Sequence, residues 1–320
     1  MAKYILKRII QMVAVMMLAT IATFFLSSLL PGDPVLAVAG AESLEQDTYD
    51  AIYYSLGFDK PVVQRFFIWL GKVIHLDFGT SYIYHMPVWD LIKSRVAITL
   101  YLSFLALFIS VPLGILFGVI TAVKRGSKTD SIITLLANFT ACLPQFWVAL
   151  CLMYVFALKL QLLPPAGLKW PSEVGWSKHL KSLVMPLFCI ALGGIASFTR
   201  QTRSSVLETI RQDFVRTARS KGVKEGVVTF RHVLRNSLIP LITMLGARLA
   251  HIMGGSMFVE NVFAIPGMGM LLMKCITQQD IPTIQALVLI TSFVTCLVFI
   301  ITDIVYVFVD PRISLISSEQ

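Results

Sequence analysis

The chain has 320 residues, of which 56% are hydrophobic and only 14% charged. A soluble domain carries about a quarter charged residues, which argues against a water-soluble enzyme; a disordered chain needs low hydrophobicity and is disfavoured too. The net charge of +9 would suit nucleic acid, but the basic residues follow a membrane pattern, so no nucleic-acid partner is expected.

Six stretches are nearly free of Asp, Glu, Lys and Arg: residues 9–32, 96–123, 131–158, 182–199, 236–259 (broken only by Arg248) and 281–309 (broken only by Asp303). A spanning helix needs about 20 apolar residues. Only helices or closed barrels satisfy their backbone in lipid, so each stretch is expected to span once as a helix. Of the 27 Lys and Arg, sixteen fall before span one, between spans two and three, between spans four and five, and after span six. Ten fall in the alternate segments. The positive-inside rule places the first set, with both termini, in the cytoplasm. The basic start and the Ala37-Val38-Ala39 sequence resemble a secretory signal. The apolar run is longer than a signal core, however, so the first stretch is expected to stay as a span.

The expected organisation is a first span with its cytoplasmic terminus (1–32), an extracytoplasmic loop domain (33–95), and a five-span core (96–320) carrying a cytoplasmic loop at 200–235. The first loop holds Glu42, Glu45, Asp47 and Asp50, then Phe66, Phe67 and Trp69; it reads as a small helical cap. Pro112 and Pro144 lie within spans two and three and are expected to kink them. Small residues allow helices to approach closely in lipid. Gly114 and Gly118 provide this in span two, Gly193 and Ser197 in span four, and Gly246, Ala250 and Gly254 in span five.

Arg248 lies roughly 18 Å into span five at about 1.5 Å per residue, and His251 shares its face. Ionisable groups at that depth are functional candidates. Two readings stand for this pair: lining of a pathway, or contact with a neighbouring subunit. Asp303 lies nearer the cytoplasmic end, where local pairing is expected.

The 200–235 loop is amphipathic. Val206, Ile210, Phe214 and Ala218 step by four along one expected buried face. Arg219 and Lys221 suit a helix C-terminus, and Gly222 suits its stop. A second stripe follows at Val227, Phe230, Leu234 and Leu238. The loop therefore reads as helix, sharp turn, helix.

The five cysteines include no CxxC pair, so neither a zinc site nor a disulfide framework is expected. His75, His85 and His179 fall outside the spans; they read as ordinary surface residues, and no metal site is expected. No phosphate-binding GxxxxGK[ST] sequence, HExxH or GxSxG occurs, so the chain is not its own ATP motor and carries no hydrolase signature.

The loop sequence DFVRTARSKG at 213–222, followed by RHVLRNSLIP at 231–240, resembles the coupling loop of ABC-importer permeases. The branch it resembles is the dipeptide, oligopeptide and nickel branch. The resemblance extends over nearly the whole chain: LPGDP at 30–34, LGFDKPV at 56–62, Trp69-Leu70, DFGTS at 77–81, Leu143-Pro144 with Phe146 and Trp147, GGSMFVENVFAIPGMG at 254–269, and Asp303, Tyr306 and DPR at 310–312. The general permease motif has Glu-Ala-Ala where this chain has Arg216, Thr217 and Ala218, and its proline falls later, at Pro240; the peptide/nickel branch shows the same variant.

The resemblance implies an all-α integral membrane protein with six transmembrane helices and the ABC type I importer permease fold. It implies a non-catalytic subunit that pairs with a second homologous permease in the bilayer and is driven by two ATPase subunits. Those partners would bind ATP and Mg, and this chain no cofactor. An extracytoplasmic solute-binding protein would deliver short peptides, nickel or a metal chelate across a bacterial inner membrane. By resemblance Asp213, Arg216, Thr217, Ala218, Lys221, Gly222, Val223 and Lys224 form the ATPase-coupling loop. Gly246, Arg248, Ala250, His251 and Gly254 are expected on the translocation path or the permease seam, and Glu260, Pro266 and Gly267 in an outer gate element. The competing expectation is a proton-coupled transporter using Arg248, His251 and Asp303 as a relay, although six spans with no visible repeat are few for such a fold.

Overall fold

The computed structural model describes residues 2–29, 33–39, 44–250, 252 and 257–309. The described chain is all-α, with one isolated bridge between Thr80 and Pro87 and no strand among the described residues. Helices α1 (Ala2–Ser27), α2 (Pro34–Ala39), α3 (Gln46–Ser55) and α4 (Val62–Ile74) lead into α5 (Val88–Val123). Then come α6 (Lys128–Cys142), α7 (Gln145–Leu152) with a π-helical extension (Met153–Lys159), α8 (Pro171–Val174) and α9 (Trp176–Thr209). Next are α10 (Asp213–Ser220), α11 (Glu225–Val227), a π-helical segment (Val228–Leu234), α12 (Arg235–Ser237) and α13 (Ile239–Ala250). The last are α14 (Met257–Val262), α15 (Met268–Thr277) and α16 (Ile281–Val309).

Among the described residues four helices (α1, α5, α9 and α16) are each long and apolar enough to cross a membrane, or up to six candidate spans if two bent pairs each count as one. The first pair is α6 with α7 and its extension, bent by 100°. Its cause is local. A residue before proline is pushed out of helical geometry, and Leu143 is extended with φ −77° and ψ 128°. The carbonyl of Pro144 then accepts the N–H groups of Trp147 and Val148 and restarts the helix. Pro112, by contrast, lies inside an unbroken α5, so of the two expected kinks only the one at Pro144 breaks its helix.

The chain divides into two compact units. The first comprises Met1–Thr99, Met253–Met257 and Pro266–Ile300. Its aromatic centre joins Phe24 of α1 to Phe66 and Trp69 of α4 at ring distances of 5.3 and 5.4 Å. Gln285 of α16 donates to Ser27 Oγ of α1 at 3.0 Å.

The second unit comprises Leu100–Ile252, Phe258–Ile265 and Ile301–Gln320. Its axis is α9, packed on α5 through missing side chains. A Cβ on Gly114 would lie 2.3 Å from the Cβ of Phe198, and one on Gly118 would lie 2.4 Å from that of Thr202. Both distances are inside any real contact, so only glycine permits this approach. In span four the contact glycine is Gly194, against Ser110, whereas Gly193 faces open space. The expected Gly193/Ser197 packing face is thus displaced by one residue. Gly246 meets Thr302 of α16 just as closely, at 2.1 Å for a built Cβ.

Candidate functional site

The loop after α9 stands on a floor of valines. Val206 of α9, Val215 and Ala218 of α10, and Val228 and Val233 of the π segment are buried together with Val119 and Ala122 of α5. Ile210, Val223 and Leu234 pack around them. Helix α9 ends at Thr209, and the 210–212 turn resets the helical phase. Val215 is therefore buried, and Phe214, expected on the buried face, is exposed. The second stripe shifts for a related reason. A π turn closes i→i+5 bonds, adding about one residue per turn. Val228 and Val233, five apart, therefore point inward, and Phe230 and Val227 point out. Both stripes are corrected by the same observation: a constant 3.6-residue period does not run through the loop.

The turn itself is a Schellman cap. The Gly222 N–H donates to Arg219 O at 2.9 Å and the Val223 N–H to Ala218 O at 3.3 Å. Gly222 has φ +73°, a conformation that side chains resist. Val223 packs with Ala218, completing the motif. Arg219 reaches across the turn to Glu225, with Nε–Oε1 2.8 Å and Nη2–Oε2 3.3 Å. Asp213, Arg216, Thr217, Lys221 and Lys224 are exposed around this cap. The result is a braced knuckle bearing three exposed apolar side chains, Phe214, Val227 and Phe230, ringed by cations.

Below the knuckle, Arg203 of α9 grips Asp130 of α6 with two 3.0 Å bonds. Asp130 also accepts from the Gly126 N–H at 3.0 Å and Thr134 Oγ1 at 3.2 Å. Bidentate pairs of this kind fix geometry as well as charge. The sequence shows Arg203 only as one more basic residue; its partner lies 73 positions away.

The second candidate set sits on α13 and α9. Arg248 is exposed and donates to Ser197 Oγ at 2.9 Å. Arg200 lies close enough for its charge to act on Arg248, and it donates to Ala137 O at 3.4 Å. Gly193, Ser197, Arg200 and Arg248 thus mark an uncovered face. Gly246 and Ala250 are buried instead, so the small-residue stripe and the arginine occupy different faces of α13. His251, Gly254 and residues 310–312 lie outside the described residues.

The expected gate residues fall in different units. In the second unit, Glu260 is 1% exposed, and α14 is closed by a Schellman cap. The Ile265 N–H donates to Glu260 O at 2.8 Å and the Ala264 N–H to Asn261 O at 3.2 Å. The left-handed position is Ala264, with φ +48°, where glycine is usual. Gly167 N–H donates to Phe263 O at 2.7 Å and anchors this turn. In the first unit, Arg95 Nη1 donates to Pro266 O at 3.3 Å. Gly267 caps α15 in ordinary extended geometry.

One cluster escaped the sequence altogether. Asp280, fully buried before α16, accepts from Ser81 Oγ, the Tyr82 N–H at 3.2 Å, Thr283 Oγ1 at 2.8 Å and the Thr283 N–H at 3.4 Å. Its partners lie about 200 residues upstream and three downstream, a separation no local pattern reveals. His179 was also misread. It is buried, with Nε2 2.8 Å from Tyr101 Oη and Nδ1 2.6 Å from Lys169 O. The Lys169 carbonyl accepts only, so Nδ1 donates to it. Among the described residues no group of His, Cys, Asp or Glu is arranged to hold a metal.

The sequence matches two family models, the binding-protein-dependent transport system inner membrane component over residues 114–315 and the N-terminal region of such membrane components over residues 1–103. A peptide transport system permease protein of Brucella abortus is 38% identical over 98% of this chain and 99% of its own length. The oligopeptide transport system permease protein AppB of Bacillus subtilis is 35% identical over the same shares. A solved structure of the MetNI methionine ABC transporter, in an inward-facing conformation, matches with a TM-score of 0.54 at 17% identity, covering 68% of this chain and 96% of the matched chain.

Proposed function

Because this chain belongs to the family of binding-protein-dependent transport system inner membrane components, we propose that it is a permease subunit of an ATP-driven importer of short peptides. Its termini and the 200–235 knuckle face the cytoplasm. It forms the translocation path with a second, homologous permease. Two separate ATPase subunits bind ATP and Mg, and an extracytoplasmic protein delivers the peptide. The chain itself is non-catalytic and multi-pass in the bacterial inner membrane.

The observation that carries this reading is the knuckle. Phe214, Val227 and Phe230 are exposed although a buried valine floor lies directly beneath them. Apolar side chains held out on a braced turn fit a partner groove. The exposed cations around them suit an acidic rim. ATPase closure would press on α10, and the Arg203–Asp130 clamp would pass that push to α6 and α9.

Arg248, Ser197 and Arg200 supply the chemistry expected of a path for peptides. Two guanidinium groups on an uncovered face attract a carboxylate, and Ser197 orients the first. In vesicles holding the complete assembly, peptide uptake should stop on ATP depletion and survive an uncoupler. Uptake that survives ATP depletion and dies with the uncoupler would sink the importer reading in favour of proton coupling. Arg248→Gln should lower uptake of free-carboxylate peptides and spare C-terminally amidated ones; equal loss for both would remove the carboxylate role.

A further inference from the structure

The first unit contains a cleft of about 790 Å³. We propose that it is a binding site for the headgroup of an anionic phospholipid, with the acyl chains laid along α1 and α4. The inference does not depend on the transport reading; it needs only that α1 and α16 span the bilayer.

Depth is the first argument. The cleft is lined by Phe24, in the last turn of α1, and by Ile281 and Pro282, in the first turn of α16. Both helices are candidate spans, over Arg8–Ser27 and Ile281–Thr302. A pocket framed by the ends of two spans lies at headgroup level, where amphipathic rings such as that of Trp69, also in the lining, are enriched.

Charge is the second. Lys60, Arg65 and Lys72 line the same cleft, and none forms an ion pair with any described residue. Arg65 stacks on Phe58 with its guanidinium carbon 4.2 Å from the ring centre. It is half-buried, and desolvation lowers its pKa. A phosphate diester would meet three cations and offset the cost of burying the Arg65 charge. The one carboxylate in the lining, Asp77, accepts from the Gly79 N–H at 2.9 Å, so its charge is partly spent on the backbone.

Continuity is the third. The aromatic series Phe24, Phe25, Phe66 and Phe67 runs from the cleft to the outside with ring spacings of 5.3 to 6.0 Å. Leu26 of α1, Leu29 just after it, and Val63 and Phe67 of α4 are also exposed. A short helix with an apolar outer face and cations at its edge lies in the membrane interface. A free anion would use the cations and leave this apolar face uncovered; a diacyl lipid uses both.

The test is native mass spectrometry of the full chain in detergent, titrated with phosphatidylglycerol or phosphatidylcholine. One phosphatidylglycerol should be retained in preference to phosphatidylcholine. Arg65→Gln and Lys72→Gln should each weaken it about fivefold, the effect of one cation near an anionic headgroup. Arg65→Lys, which keeps the charge, should stay near the native affinity and shows that loss in the glutamine variant is not misfolding. Equal retention of the two lipids, or unchanged retention in both glutamine variants, would overturn the proposal. So would displacement by millimolar inorganic phosphate, which marks a free-anion site, or by the solute-binding protein, which marks a protein contact.

Discussion

Two turns of the molecule invite comparison: the cap at Gly222 in the second unit and the corner at Asp280 in the first. Each joins two helices. At Asp280 a buried carboxylate collects hydroxyl and N–H donors from one distant segment and from Thr283 close by, and the Ser81 and Thr283 side chains are buried with it. At Gly222 the backbone closes the turn, Arg219 braces it through Glu225, and the apolar side chains of Phe214, Val227 and Phe230 face outward. The first arrangement holds its own unit together. The second is self-supporting and leaves Phe214, Val227 and Phe230 available to something else. The difference separates a structural corner from the one proposed for docking without reference to charge, since both neighbourhoods contain it.

The comparison breaks first at Asp280. Asp280→Ala strands the buried Ser81 and Thr283 hydroxyls and the Tyr82 N–H, at a cost of about 3 kcal/mol or more. Thermal unfolding of the detergent-solubilised chain should show it as a large loss. If the variant melts like the native protein, the corner is not structural.

Overpacking is next. Gly118→Val forces a branched side chain into Thr202 of α9 and should cost about 1–3 kcal/mol, whereas Gly193→Ala, into open space, should be nearly neutral. Equal effects in the same melting assay would contradict the α5–α9 contact.

The caps give smaller effects of opposite sign. Gly222→Ala places a Cβ at φ +73° and should cost about 1 kcal/mol, loosening the knuckle. Ala264→Gly removes the same strain at φ +48°; relief is partly offset by backbone entropy, so a gain of about 0.5 kcal/mol is expected. Hydrogen exchange at the two turns would read both.

The last effect is confined to high pH. Burial, with the nearby Asp280 charge, pushes the Tyr82 hydroxyl up to about 12 from its usual 10. The folded state therefore holds this proton more tightly than the unfolded state. The stability it contributes is complete below pH 10 and is lost as pH rises from 10 through 12. Tyr82→Phe should flatten that part of the stability profile; an unchanged slope would place the loss elsewhere.

What the sequence shows depends on the range of the interaction behind each feature. Gly222 is legible because a left-handed cap is a local demand of four or five residues. The apolar spans are legible because lipid imposes a composition on each stretch separately. The faces of the loop were misread at Phe214 and Phe230 because a reset turn and a π segment change the period within a few residues. Gly193 and Gly194 differ only in helical phase, which adjacent glycines leave undecided. Asp280 with Ser81, and Asp130 with Arg203, were invisible for a different reason: each partner is ordinary on its own and acquires meaning only when the fold joins segments 199 and 73 positions apart.

The central claim is that the knuckle is a docking element held rigid from below. The direct test compares native chain with a Phe214→Ser, Phe230→Ser variant, each expressed with the proposed partner permease and ATPase subunits. Both positions are exposed, so the variant should melt within about 0.5 kcal/mol of the native chain. Co-purification of the ATPase subunits should fall by about thirtyfold, the loss of roughly 2 kcal/mol expected for an interface anchor. Full retention of the ATPases by a stably folded variant would contradict the account.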